Sequence, residues 1–263
     1  MKKEIIIAGY GFVGKAVANA ISDNNVLHIV DPKINSNLVS DYKYADGLII
    51  CVGTPSTTDG YCDVSQVTAV IDATPIHIPI LIKSTVLPDL LTQIENNYPD
   101  HSICYSPEFL RASSANADFI NQKFIVLGGE DPECFWQDLF AESLPNCKLF
   151  FNCSITEASM VKYSSNAFLA TKVAFFNQIS DLCNCNNADY NVVKQILAHD
   201  PRIGNSHMMV PGADGEKGFG GHCFPKDTQA FREYSVELNA SLTILDSAIE
   251  YNKMVRKNID IVK

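Results

Sequence analysis

Through Cys153 the chain alternates short apolar runs with longer stretches in which apolar residues recur every three or four positions. Residues 4–8, 26–30, 47–52, 78–82, 102–105, 124–127 and 148–150 read as strands. The first, with Ile5-Ile6-Ile7 at its centre, has no polar alternate, as in a parallel strand buried on both faces. Residues 15–21, 64–72 and 87–96 have helical spacing, with Pro88 suited to a first turn. After Cys153 the pattern changes. Residues 156–184 predict one long helix with a mixed face of Lys162, Ser165, Asn166 and Asn177. A shorter helix over 191–199 follows, then an irregular Gly- and Pro-dense stretch from Pro201 to Cys223, then helices over 227–237 and 240–261. The order predicts an α/β fold: a doubly wound sheet over 1–152, then an all-helical part over 153–263.

Composition narrows the function classes. Hydrophobic residues are 46% of the 263, enough for a sizeable core. A formal net charge of -10 argues against a nucleic-acid or anionic-membrane partner. Nine scattered cysteines, an odd number without metal-finger spacing, read as thiols in a reducing cytoplasm. The N-terminal apolar run stops at glycines too soon for a signal segment or membrane span. The six histidines show no metal spacing, so no metal is expected.

Candidate chemistry begins at Gly9-Tyr10-Gly11-Phe12-Val13-Gly14, a GxGxxG at a strand-to-helix junction. Such a turn brings backbone and a helix N-terminus to a pyrophosphate, placing Phe12 and Val13 beside the cofactor. Asp31 ends the second strand, where an acid binds a ribose 2′-hydroxyl and favours NAD; nearby Lys33 weakens that preference. Together they predict a Rossmann-like domain. Later strands end in Gly53-Thr54-Pro55, Lys83-Ser84-Thr85 and Ser106-Pro107-Glu108-Phe109-Leu110-Arg111, at the edge where open parallel sheets bind ligands. Lys162 and Asn166, four apart on one helical face, read either as oxyanion donors or as a solvated face. Gly218-Phe219-Gly220-Gly221-His222-Cys223-Phe224-Pro225-Lys226-Asp227 sets a thiol between glycines and a Lys-Asp pair. It reads as a covalent-catalysis loop or as a glycine-rich turn around an inert cysteine.

In this order and over nearly the whole chain, these motifs resemble the UDP-glucose 6-dehydrogenase branch of the UDP-glucose/GDP-mannose dehydrogenase family. The resemblance implies NAD-dependent oxidation of UDP-glucose to UDP-glucuronate by two hydride transfers, with Cys223 as the nucleophile. Lys162 and Asn166 would stabilise the oxyanion, Asp227 assist proton transfer and Glu108 act as base for thioester hydrolysis. Thr85 would hold a water or contact the cofactor, and Gly53, Thr54, Pro55 and Lys226 would lie near NAD. Phe109, Leu110, Arg111, Arg202, Phe219, Gly220 and Gly221 would position the sugar nucleotide. The resemblance further implies a cytoplasmic homodimer built on the C-terminal helices, with 240–261 as the candidate interface. Three features depart from the pattern. Ala112 stands where a second glutamate is usual, 32–46 is short, and the chain stops where a further nucleotide-binding domain would follow. A short active form is expected. The alternatives are a non-enzymatic partner of a full-length dehydrogenase, or a dehydrogenase for GDP-mannose or a UDP-N-acetylhexosamine.

Overall fold

The computed structural model describes residues 2–34 and 37–256. The chain divides into two compact units, one of residues 1–55 and 62–162, the other of residues 56–61 and 163–263.

The first unit is built on strands β1 (Glu4–Ala8), β2 (Val26–Val30), β3 (Gly47–Ile50), β4 (Ile80–Ile82), β5 (Ile103–Tyr105), β6 (Phe124–Gly129) and β7 (Leu149–Cys153). They form one sheet in the order β2-β1-β3-β4-β5-β6-β7. Every pairing is parallel except β5 with β6, where Cys104 opposes Gly129. Because side chains alternate across a strand, Ile6, Leu48, Ile50, Ile80 and Ile82 enter one core layer, while Ile5, Ile7, Ile49 and Leu81 enter the other. Helices α1 (Phe12–Ile21), α2 (Ser65–Asp72), α3 (Pro88–Asn97), α4 (Ala115–Ile120) and α5 (Phe135–Ser143) accompany the sheet. Pro88 opens α3, where its missing N–H costs nothing. Asp131 caps α5, accepting the Trp136 and Gln137 N–H groups at 2.7 and 3.1 Å, so Trp136, Leu139 and Phe140 pack into the second layer.

Helix α6 (Ile155–Cys185) is 31 residues long. It starts at a capping box: Ser154 Oγ accepts the Glu157 N–H at 3.2 Å, and Glu157 Oε2 accepts the Ser154 N–H at 2.8 Å. The second unit adds α7 (Tyr190–Leu197), α8 (Phe224–Glu237) and α9 (Thr243–Val255). Phe176, Cys183, Tyr190 and Met208 form a small core there, with the Tyr190 hydroxyl donating to the Met208 carbonyl.

The doubly wound sheet followed by helices is therefore present. Two sequence expectations need amending. Helices α4 and α5 were not expected. The last helix runs Thr243–Val255 rather than from 240, and the part expected beyond Arg256 lies outside the described residues. Its Leu245, Ala248 and Ile249 are already buried, which leaves fewer apolar positions on 240–256 for a partner than expected.

Candidate active site

The β1–α1 turn has the geometry a pyrophosphate requires. Gly9 has φ +91°, and a Cβ on Gly14 would lie 2.0 Å from the Gly9 carbonyl oxygen, so neither position accepts a side chain. At Gly11 a Cβ would meet nothing within 4 Å, which leaves open space over the backbone. Asp31 accepts the Tyr10 N–H at 2.6 Å and the Lys33 N–H at 2.8 Å. The Tyr10 bond leads in holding its carboxyl below the usual range, with Lys33 next, so it is anionic at neutral pH. The acid beside the glycine turn and the open face at Gly11 fit a dinucleotide.

The next strand ends are tied together. Thr54 Oγ1 donates to the Thr85 carbonyl at 2.7 Å, and Ser84 Oγ donates to the Val52 carbonyl at 2.7 Å. Lys83, buried, donates to the Ser106 carbonyl at 2.9 Å and to Ser106 Oγ at 3.3 Å. Burial pulls the Lys83 amine down to about 8, against the nearby Glu108 carboxylate, which raises it. Burial likewise pushes the Cys51 thiol up to about 12, so it stays neutral.

Beyond Ser106 the side chain of Glu108 turns back onto its own loop, and Oε2 accepts the Leu110 N–H at 2.8 Å. Its Oε1 pairs with Lys162 at 2.9 Å, and Lys162 also donates to the Glu108 carbonyl at 2.6 Å. The two side chains are only 8% and 4% exposed. The ammonium lies 5.7 Å from the Phe109 ring centroid. The candidate base and one candidate oxyanion donor thus form one buried ion pair. Arg111 instead makes a two-pronged bond to Asp118 on α4 and is largely exposed.

In the second unit Cys223 is exposed at the N-cap of α8. One turn on, Asp227 is buried, with Oδ2 hydrogen-bonded and Oδ1 close to an ammonium with which it makes no hydrogen bond. Asn166 Nδ2 donates to Oδ2 at 2.7 Å, and Lys226 pairs with Oδ1 at 2.6 Å. Four sequence candidates therefore meet here: Cys223, Lys226, Asp227 and Asn166. Arg202 does not join them; it pairs with Asp200 at 2.6 Å and its side chain is 87% exposed. The backbone beside Arg202 is fixed by Lys172, which donates to the Ile203 carbonyl at 2.8 Å. Phe219 is buried, and its ring meets that of Phe224 edge-on.

Three residues hold the glycine loop; of them the sequence singled out only Asn177, as part of a mixed helix face. Asn177 Oδ1 accepts the Gly218 N–H at 3.0 Å, Asn252 bonds Phe219, and Arg256 donates to the Lys217 carbonyl at 3.3 Å. The one available signal was polarity, an asparagine amid the apolar positions of each helix. Among the described residues no group of three or more His, Cys, Asp or Glu could hold a metal, and no helix is long and apolar enough to cross a membrane.

An open, mostly parallel sheet with this glycine turn and acid defines a dinucleotide-binding dehydrogenase fold. Comparisons with known proteins narrow the class. Residues 31–143 match the NAD binding domain of the UDP-glucose/GDP-mannose dehydrogenase family, and residues 156–254 its central domain. The UDP-glucose 6-dehydrogenase of Rickettsia typhi is 32% identical over 225 residues, 82% of this chain and 51% of that protein. The UDP-glucose 6-dehydrogenase YwqF of Bacillus subtilis is 34% identical over 222 residues, 79% of this chain and 48% of that protein. A UDP-glucose dehydrogenase structure from Pyrobaculum islandicum superposes with a TM-score of 0.84 at 26% identity, covering 97% of this chain and 68% of that one. The chain belongs to the UDP-glucose/GDP-mannose dehydrogenase family, and NAD is its cofactor. It spans about half the length of the curated relatives it matches.

Proposed function

We propose that the protein oxidises the primary alcohol of UDP-glucose to the carboxylate of UDP-glucuronate, in two steps, through a covalent adduct on Cys223. Residues 1–152 serve as the NAD-binding domain and 153–263 as the helical domain that carries the cysteine. The observation that carries this reading is Asp227, buried one helical turn from Cys223, with Oδ2 bonded to Asn166 and Oδ1 beside the Lys226 ammonium. An inert turn has no use for such an arrangement.

Bound NAD supplies the hydride acceptor in each oxidation. Gly9, Gly11 and Gly14 would leave room for its pyrophosphate, and Asp31 would hold its ribose. Phe12, Val13, Lys33, Gly53, Thr54, Pro55 and Lys226 complete its surroundings. In the first oxidation the alcohol loses its proton with help from Asp227 or a water that Asp227 orients. The Cys223 sulfur then adds to the aldehyde carbon, giving a thiohemiacetal whose oxygen takes hydrogen bonds from Lys162 and Asn166. Loss of a second hydride from that carbon and of the hydroxyl proton to solvent leaves a thioester. Glu108 takes a proton from a water held by Thr85, the water adds to the carbonyl, and the C–S bond breaks to return the Cys223 thiol. Phe109, Leu110, Arg111, Arg202, Phe219, Gly220 and Gly221 recognise the sugar nucleotide.

We also propose that the chain acts as a homodimer in the cytoplasm. Val161, Phe168, Phe175 and Leu182 recur every seven residues along α6, and 43–67% of each is exposed. An apolar seam at this spacing suits a second helix.

The test is NADH formation from UDP-glucose and NAD, with the product identified by mass. Two NADH per UDP-glucuronate is expected. No NADH from folded, NAD-binding protein with UDP-glucose, GDP-mannose or UDP-N-acetylhexosamines refutes the enzymatic reading. Copurification with a longer dehydrogenase would then favour a regulatory partner. Turnover of another sugar alone refutes only the substrate assignment.

A further inference from the structure

The loop that ends in Cys223 is held by two buried amides. Asn252 on α9 bonds one residue from both sides: its Oδ1 accepts the Phe219 N–H at 2.7 Å, and its Nδ2 donates to the Phe219 carbonyl at 3.0 Å. Asn177 on α6 accepts the adjacent Gly218 N–H at 3.0 Å, and its own Nδ2 is anchored on the Val173 carbonyl at 2.8 Å. Asn252 is 5% exposed and Asn177 1% exposed. Gly218, at φ +76°, runs so close that a Cβ there would stand 2.2 Å from Asn252 Oδ1. These bonds resemble a strand pairing in which one side chain replaces the neighbouring backbone. An amide fits both ends of Phe219, because it offers a fixed acceptor and a fixed donor without charge at any pH. Buried polar groups of this kind are costly to leave unmet, so the arrangement specifies one loop conformation.

We infer that Asn252, with Asn177 beside it, is a positioning residue for Cys223. It fixes the backbone at Phe219, and with it the path by which the chain reaches the thiol at the start of α8. This rests on Cys223 being the nucleophile. The exposed N–H groups of a helix N-terminus favour a negatively charged group. A thiol delivered there in register reacts faster than one on a wandering loop.

Asn252→Asp separates positioning from general damage. A charged carboxylate accepts from the Phe219 N–H but repels the Phe219 carbonyl, whereas a protonated one restores both bonds. The charged groups bonded around the same loop are Arg256 with Asp214, and Lys217 with Asp181. These are unchanged by the substitution.

Iodoacetamide labelling, resolved by peptide mass, measures Cys223 without requiring turnover. Exposed Cys134 and Cys185 serve as internal references. In Asn252→Ala the Cys223 rate should fall about fivefold or more with both references unchanged, and exchange at the Phe219 amide should rise about tenfold or more. Asn252→Asp should match Asn252→Ala near neutral pH and approach the wild type, compared at equal pH, as the solution is acidified. If Asn252→Ala does not fold, Asn177→Ala and the acidified Asn252→Asp protein carry the same comparison. Unchanged Cys223 labelling in the folded variants overturns the inference. A wild type that labels normally but makes no NADH overturns the functional reading alone. Where turnover is present, Asn252→Ala should lower kcat about tenfold, leave the NAD KM unchanged and be rescued in part by Asn252→Gln.

Discussion

Replacing Lys83 by methionine should remove a specific slope from the pH dependence of stability. Lys83 is buried at the end of β4, over the rings of Phe119 and Phe140 at 5.5 and 5.6 Å, and bonded to Ser106. Burial, the leading cause, pulls its amine down to about 8 in the folded protein, from the ordinary 10.5. Between those values the unfolded chain holds a proton that the folded chain has released, so stability rises with pH across that window. Below it both states are protonated and the folded protein carries a constant penalty of about 3 kcal/mol. Integration from about pH 7.5 to about pH 9.5 gives a gain of about 2 kcal/mol from Lys83 alone. Cys51 opposes it, because a thiol held at about 12 in the fold ionises near its usual value on unfolding. That term is common to both proteins and cancels in their difference. The bonds to Ser106 that Lys83→Met loses cost the same at both pH values and cancel too. The assay is urea unfolding under reducing conditions, followed by the fluorescence of Trp136, which is the one tryptophan and lies buried in the same unit. The wild type should gain about 2 kcal/mol more than Lys83→Met between the two pH values. Equal pH dependence in the two proteins would show that Lys83 stays charged in the fold.

Three other outcomes follow from the described bonds. Asp31→Asn should weaken NAD binding about tenfold or more by calorimetry, since it removes the anion proposed to hold the ribose, which also braces the glycine turn; an unchanged affinity contradicts this. Glu108→Gln leaves Lys162 charged and buried beside a neutral amide, and should cost about 3 kcal/mol in the Trp136-monitored transition, with a loss below about 1 kcal/mol counting against the pair. Phe168→Glu with Phe175→Glu should turn a dimer into a monomer in sedimentation, and a wild type already monomeric refutes the seam on α6.

The strands were legible because parallel strands buried on both faces leave continuous apolar runs, as at Ile5-Ile6-Ile7. The glycine turn was legible because its constraints are local. Helix α5 was missed although Trp136, Leu139 and Phe140 have helical spacing. The reversal at β6 was hidden because direction within a sheet leaves little mark on a short apolar run. In the candidate site, residue types were readable and partners were not. Glu108 and Lys162 were each picked out, but their pairing joins positions 54 apart. Asn252 was invisible for the same reason: its chemistry lies in what it faces, 33 residues away.

Helix α6 sets the phase of three separate attachments in the second unit. Asn166 reaches Asp227, Lys172 reaches the chain at Ile203, and Asn177 reaches Gly218. A helix turns by about 100° and advances about 1.5 Å with each residue. One residue inserted between Asn166 and Lys172 would swing the later two attachments off their targets together. A full turn inserted would restore their direction but carry them about 5 Å too far along the axis. The spacing of these three polar residues is therefore a fixed length, intolerant of any change in the number of residues between them.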